Sequence, residues 1–156
     1  MFNAVMKRNL LQAQPYMLSD EATKFEALGA LVSIQARTEQ TGGAFNLFDV
    51  ILPAGYETPL HIHYAEDVAI RVLEGTLELF WGTEKIRAEA DSFSFQPGGT
   101  PHGFRVPGTM PARISYLTIP AGFDGFVLEH SQTASDRETM QLAARYKIEV
   151  LGPLTE

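Results

Sequence analysis

HIHYAEDVAIRVLEG (residues 61–75) decides how the chain is read. Side chains two apart on a strand point to one face, so His61 and His63 can converge on one ion from inside a β-barrel. Imidazole is the commonest protein ligand for transition metals. The run that follows keeps the same period. Val68, Ile70 and Val72 fall on one face, read as inward, and Ala69, Arg71 and Leu73 fall on the other. A carboxylate ligand is expected close behind the histidines, and Glu66 and Asp67 are the nearby acids.

Working outward, the neighbouring segments repeat this pattern. FNLFDVIL (45–52), TPLHIH (58–63), TLELFW (76–81), EKIRA (84–88), SFSFQ (92–96), HGFRV (102–106) and ARISYLTI (112–119) all read as short strands. Gly and Pro punctuate them. Many short period-two runs with regular turn signals predict an antiparallel sandwich or barrel, and the lack of alternating long helices argues against a parallel α/β fold. LVSIQ (31–35) is a further strand. SDEATKFEAL (19–28) is a helical turn, an edge strand or a loop. Near the end, GFDGFVLEH (122–130) reads as a short helix. SDRETMQLAARYK (135–147) is a better one, with a capping box at Ser135 and Glu138 and an apolar stripe at Met140, Ala143 and Ala144. Gly152-Pro153 stops the chain. The expected organisation is one domain over 1–156: a lead-in at 1–40, a barrel at 41–120 and a helical segment at 121–152.

Composition narrows the function classes. The chain has 156 residues and is 45% hydrophobic, enough for one packed core. It has 12 basic and 19 acidic residues, and no basic cluster exceeds Lys7-Arg8. Nucleic-acid binding needs phosphate-neutralising patches and is not expected. No apolar run is long enough to span a bilayer, and the first twenty residues lack the form of a signal peptide. There is no cysteine, hence no disulfide and no thiolate ligand. The expected location is the cytoplasm.

The chain has four histidines. His102, in PGGTPHGF, opens a later strand that can lie beside the first. An isolated H-x-H pair also occurs on ordinary surface strands, so this third histidine carries much of the case. His130 reads as a surface residue.

At this point GYETPLHIHYAEDVAIRVLEG (55–75) resembles the first cupin motif, G-x5-H-x-H-x3or4-E-x6-G, through Gly55, His61, His63 and Gly75. FSFQPGGTPHGFRV (93–106) resembles the second, P-x-G-x2-H-x3-N, through Pro97, Gly99 and His102. TGGAFNLFDVILPAG and TIPAGFDGF look like the entry strand and exit helix of single-domain cupins related to bacterial quercetin 2,3-dioxygenase. The resemblance covers about residues 10–152. It implies an all-β, cupin-type double-stranded β-helix, a jelly-roll barrel with a short C-terminal helix and a metal inside. Cupins include enzymes of several kinds and non-catalytic binding domains. Gly75 and Gly99 sit where turns commonly need positive φ.

The chain departs from the motif at one ligand. Counting back from Gly75 with six intervening residues reaches Val68, where quercetinase-like relatives carry a metal-binding glutamate. Valine can neither ligate nor take a proton. Three outcomes follow. His61, His63 and His102 form a three-histidine site; or Glu66 or Asp67, otherwise solvated loop carboxylates, reaches in through a bulge; or no metal binds. The trailing Asn of the second motif is Val106, and its opening Gly appears as Ala90 or is displaced.

The expected cofactor is one divalent transition metal per chain (Zn, Fe, Mn, Ni or Co), or none. The pocket is assigned to Val68, Ile70, Phe93, Phe95 and Phe104, with Tyr116, Phe48 and Trp81 as further aromatic candidates. The resemblance also has Phe123–Phe126 closing part of the barrel mouth. Glu66 and Asp67 are the candidate catalytic acids. The function so implied is a metal-dependent, dioxygenase-like cupin acting on a small organic molecule. The alternative is a non-enzymatic ligand-binding cupin with an empty site. A homodimer is expected, because cupins commonly pair through sheet edges and N-terminal strands.

Overall fold

The computed structural model describes residues 13–19, 23–133 and 135–155. Lys7-Arg8, the reading of residues 1–12 and residues 20–22 of SDEATKFEAL lie outside them. The strands run in chain order as β1 (Phe25–Ala27), β2 (Ala30–Ala36), β3 (Asn46–Leu52), β4 (Leu60–His63), β5 (Asp67–Glu74), β6 (Leu77–Trp81), β7 (Glu84–Ala88), β8 (Phe93–Gln96), β9 (His102–Arg105), β10 (Ala112–Ile119) and β11 (Ile148–Gly152). Short helices are α1 (Thr38–Thr41), α2 (Phe123–His130) and α3 (Asp136–Arg145).

The fold is all-β, in two antiparallel sheets ordered β1-β2-β3-β10-β5-β8 and β11-β4-β9-β6-β7. The period-two pattern explains the layering. On β5, Val68, Ile70 and Val72 are buried and Arg71 is exposed. Their partners on β10 are Thr118, Tyr116 and Ile114, all buried too. With Phe48, Leu52, Leu77, Leu79 and Phe104 they fill the space between the sheets. Full burial of each such aliphatic or aromatic side chain stabilises by about 1.5–3 kcal/mol relative to exposure.

Strand β8 reverses one expectation. Phe93 and Phe95 are 65% and 47% exposed and point outward. They pair with Arg71 and Ala69, the outward residues of β5, and directly opposed residues share a face. The inward positions belong to Ser94 and Gln96. Gln96 is held there because the Trp81 Nε1–H donates to its Oε1 at 3.2 Å, while its own Nε2 donates to the Val68 carbonyl at 3.4 Å.

The turn after β5 needs its glycine. Gly75 has φ +80°, and a Cβ there would lie 2.7 Å from the Pro111 carbonyl oxygen and 3.0 Å from the Ala112 Cα. Both obstacles are backbone and cannot swing away. Gly75→Ala is expected to cost about 2 kcal/mol or more, from left-handed strain plus the clash, read as a lower urea midpoint at unchanged m-value. Gly99, at φ +85°, meets no such obstacle, so its glycine answers to the turn alone.

Two helices close one end of the barrel. The Asn46 Oδ1 accepts from the Gly122 and Asp124 N–H groups at 2.9 and 3.1 Å, capping the start of α2. Asp124 in turn accepts from the Thr38 N–H and Oγ1–H at 2.8 and 2.7 Å. Phe123, Phe126 and Val127 face the core. On α3 the Ser135 Oγ accepts from the Glu138 N–H at 3.2 Å, which is the N-cap half of the expected capping box. Its buried face is Leu142 and Ala143, whereas Met140 is 51% exposed and Ala144 is exposed, so the expected stripe is displaced. The chain does not end as helix and stop. Residues Ile148–Gly152 form β11, which pairs with β4 and places Ile148 opposite His63 and Val150 opposite His61.

Candidate metal centre and cavity

Strand β4 carries His61 and His63 inward, and β9 sets His102 directly opposite His61. Two hydrogen bonds hold the loop before His102 against the end of β4 and the start of β5. The Gly99 N–H donates to the His63 carbonyl at 2.9 Å, and the Gly98 N–H donates to the Asp67 Oδ1 at 2.7 Å. The three rings therefore meet, with centroids 4.6 Å apart for His61–His102, 5.0 Å for His61–His63 and 5.4 Å for His63–His102. One nitrogen from each lies within 4.8 Å of the others.

The second nitrogen of each ring is occupied. His61 Nδ1–H donates to the Pro59 carbonyl at 2.7 Å and His102 Nδ1–H to the Thr100 carbonyl at 2.9 Å. His63 Nδ1 lies 2.7 Å from the Glu66 Oε1. A backbone carbonyl can only accept, so His61 and His102 carry their protons on Nδ1 and leave Nε2 with a free lone pair, and His63 does the same when Glu66 is ionised. The His102 Nε2 is buried with no hydrogen-bond partner among the described residues. Burial pushes His61 and His63 down to about 4 and His102 to about 3, with the neighbouring imidazoles adding to the shift at His61 and His102. Three neutral imidazoles with one nitrogen each in mutual reach, and a buried His102 Nε2 without a partner among the described residues, fit a divalent transition metal.

Two of these rings form the floor of a cavity of about 460 Å³. Its walls carry Phe48, Tyr56, Phe104, Tyr116, Phe123 and Phe126. Tyr56 stacks on Phe104 at 6.0 Å, and Phe123 stands edge-on to His63 at 5.2 Å. Burial pushes the Tyr56 hydroxyl up to about 12 and raises Tyr116 as well, so both stay protonated donors. Glu57, His130 and Asp136 also border the cavity, and no described lysine or arginine does.

A cupin-domain family model matches residues 48–120, which hold both histidine-bearing strands. Residues 48–120 are a cupin domain. This cupin is 29% identical over 109 residues to quercetin 2,3-dioxygenase of Bacillus subtilis (strain 168). That match takes in 67% of the chain and 32% of the enzyme, so the cupin spans about a third of that relative's length. Among solved structures, KdgF from Halomonas sp. superposes with a TM-score of 0.62 at 21% identity, over 71% of this chain and 99% of that one. The polyketide cyclase RemF from Streptomyces resistomycificus gives 0.58 at 20% identity, over 68% and 79%. At these identities the structural likeness is one of fold.

The remaining candidates fall unevenly in this cupin. Phe104 lines the cavity, as do Phe48 and Tyr116. Val68 and Ile70 are buried in the core, and the cavity lining does not include them. Trp81 bonds Gln96, as described above. Val106 is 2% exposed and serves the core where the motif has Asn. Asp67 accepts from Gly98 and pins a loop. Glu66 is not the solvated acid expected of a loop position: it is 6% exposed, and burial pushes its carboxyl up to about 7. His130 is not a plain surface residue either, because its Nδ1 accepts from the Leu28 N–H at 3.0 Å and its ring borders the cavity. Tyr56 was the aromatic that strand reading passed over. It lies in the turn GYETP, where side-chain direction has no period to follow.

Proposed function

We propose that this cupin is a metal-dependent enzyme of dioxygenase-like chemistry, acting on a small, neutral, oxygen-bearing aromatic molecule. One observation carries the reading: three buried imidazoles, each with Nδ1 at a neighbouring oxygen, bring one nitrogen apiece within 4.8 Å of the others, and two of them line an aromatic cavity. The ligand set is His61, His63 and His102. A bound divalent transition metal supplies Lewis acidity there and, if redox-active, reactivity toward dioxygen.

The chain's own groups would do the rest. Pro59, Thr100 and Glu66 keep the three rings oriented through Nδ1. The Phe104 and Tyr56 rings and the Phe48, Tyr116 and Phe123 group offer planar faces and exclude water. Because no described lysine or arginine borders the cavity, a carboxylate or phosphate on the ligand would have no side-chain cation to pair with. That favours a neutral, planar, hydroxyl- or carbonyl-bearing ligand over a sugar phosphate or a dicarboxylate. The similarity to quercetin 2,3-dioxygenase supports the same class.

Metal analysis and oxygen uptake test this reading. The purified protein is expected to hold about one metal ion per chain after reconstitution with Fe2+, Mn2+, Ni2+, Co2+ or Zn2+. Oxygen consumption against a panel of hydroxylated aromatics is expected with a redox-active ion and not with Zn2+. A protein that takes up no metal yet still binds the aromatic panel would be the alternative, a non-catalytic ligand-binding barrel.

A further inference from the structure

We propose that Glu66 is a positioning residue that supplies the centre's negative charge from behind His63, in place of a carboxylate ligand. The proposal rests on the three-histidine metal centre argued above. The acceptors behind His61 and His102 are neutral peptide carbonyls, and only His63 has an ionisable carboxyl behind its Nδ1. A carboxylate in that place fixes the ring and makes its Nε2 a stronger donor. The β5 position where the motif has its carboxylate is Val68, fully buried and apolar, so that position brings no charge. Among the described residues, the group of convergent ligand atoms holds no carboxylate.

Burial gives the second line of argument. The Glu66 side chain is almost entirely out of water, and among the described residues its hydrogen-bond partner is the His63 Nδ1 at 2.7 Å. A buried carboxylate beside a neutral imidazole is costly in the metal-free protein. A divalent cation on the far side of the same imidazole offsets that cost through the ring. The placement is firm as well. Glu66 follows His63 by three residues in the β4–β5 connection, and its own backbone packs under Gly98, where an added Cβ would lie 3.1 Å from the Glu66 carbonyl oxygen. The acid is thus held by the loop clamp that also presents His102.

The arrangement differs from a four-ligand centre in one consequence. The charge stays near the ion while one more coordination position remains open for an incoming ligand.

Glu66→Gln separates the two contributions, since its amide oxygen can still accept from Nδ1–H but carries no charge; Glu66→Ala removes both. Affinities for Co2+ and Zn2+ alone would be measured by competition with a chromophoric chelator, together with the ligand-field spectrum of the Co2+ form and the melting temperature of the metal-free protein. Glu66→Gln is expected to weaken both metals about 10–100-fold and Glu66→Ala more. The cobalt bands should shift, and the metal-free melting temperature should hold or rise, because a neutral amide is easier to bury than a carboxylate. If wild type binds cobalt and Glu66→Gln stays within about threefold of it, the proposal is overturned while the metal centre stands. It is also overturned if affinity falls only together with the metal-free melting temperature, the mark of a structural role. A wild type that takes neither metal overturns the centre itself.

Discussion

His102→Ala is expected to abolish stoichiometric metal loading while leaving the metal-free protein folded. The size of the loss follows from ligand count. Structural zinc sites with four protein ligands hold the ion with roughly 10–16 kcal/mol, or about 3 kcal/mol per ligand, so losing one imidazole of three costs about two orders of magnitude in affinity. In the metal-free protein, losing the buried His102 Nε2, which has no partner among the described residues, is set against losing the Nδ1–H bond to the Thr100 carbonyl and the packing of a buried ring. Each variant is therefore compared with its own metal-free baseline. In wild type, metal at a hundredfold excess over its dissociation constant should raise stability by about 2.7 kcal/mol. In His102→Ala the same metal concentration should produce almost no shift from the variant's own metal-free baseline. A variant that still loads one ion per chain at wild-type affinity would remove His102 from the ligand set. His61→Ala should behave in the same way, since β4 and β9 hold the two rings directly opposite each other.

Much of this centre was legible in residues 61–102, because strand periodicity is a strong constraint. His61 and His63 had to share a face once TPLHIH was a strand, and the Pro-Gly turn before His102 marked the start of another. Where the reading failed, it had taken apolar character as a proxy for direction. SFSFQ alternates perfectly, and hydrophobicity alone turns Phe93 and Phe95 inward. The register with β5 turns them outward, and hydrogen bonds to the Gln96 amide make its inward position tolerable. Glu66 was read as solvated for a similar reason. Its burial comes from one specific acceptor contact three residues back, and charge patterning carries no trace of such a contact. Strand β11 was missed because its partner β4 lies far earlier in the chain, with Ile148 opposite His63, so no local signal says that IEVL completes a sheet. On α3 the error was a small rotation: Leu142 and Ala143 face the barrel, and Met140 borders the cavity.

The same contrast of faces sets the largest stability difference between two residues of one type. Phe48 and Phe93 are both strand phenylalanines, and from composition alone they are equivalent. Phe48 is 2% exposed, and its ring meets Phe123 edge-on at 5.7 Å and Tyr116 at 6.2 Å. Phe48→Ala is expected to destabilise by about 3–5 kcal/mol, the range for deleting a buried aromatic side chain. Partial collapse would soften this elsewhere, but here the ring borders an existing cavity, so its removal enlarges that cavity and strips two rings of an edge contact. Phe93 pairs across the sheet with Arg71 on the solvent face, and Phe93→Ala should fall within about 0.5 kcal/mol of wild type. Urea unfolding of both variants, at matched m-value, reads the difference directly. Equal losses at the two positions would mean that β8 sits one residue out of register, with Phe93 and Phe95 inside the barrel. That register would also move Gln96 away from Trp81 and Val68, so Gln96→Leu gives an independent check. In the register described here it removes two buried hydrogen bonds, orphans the Trp81 Nε1–H and costs about 1–3 kcal/mol. In the shifted register it would be close to neutral.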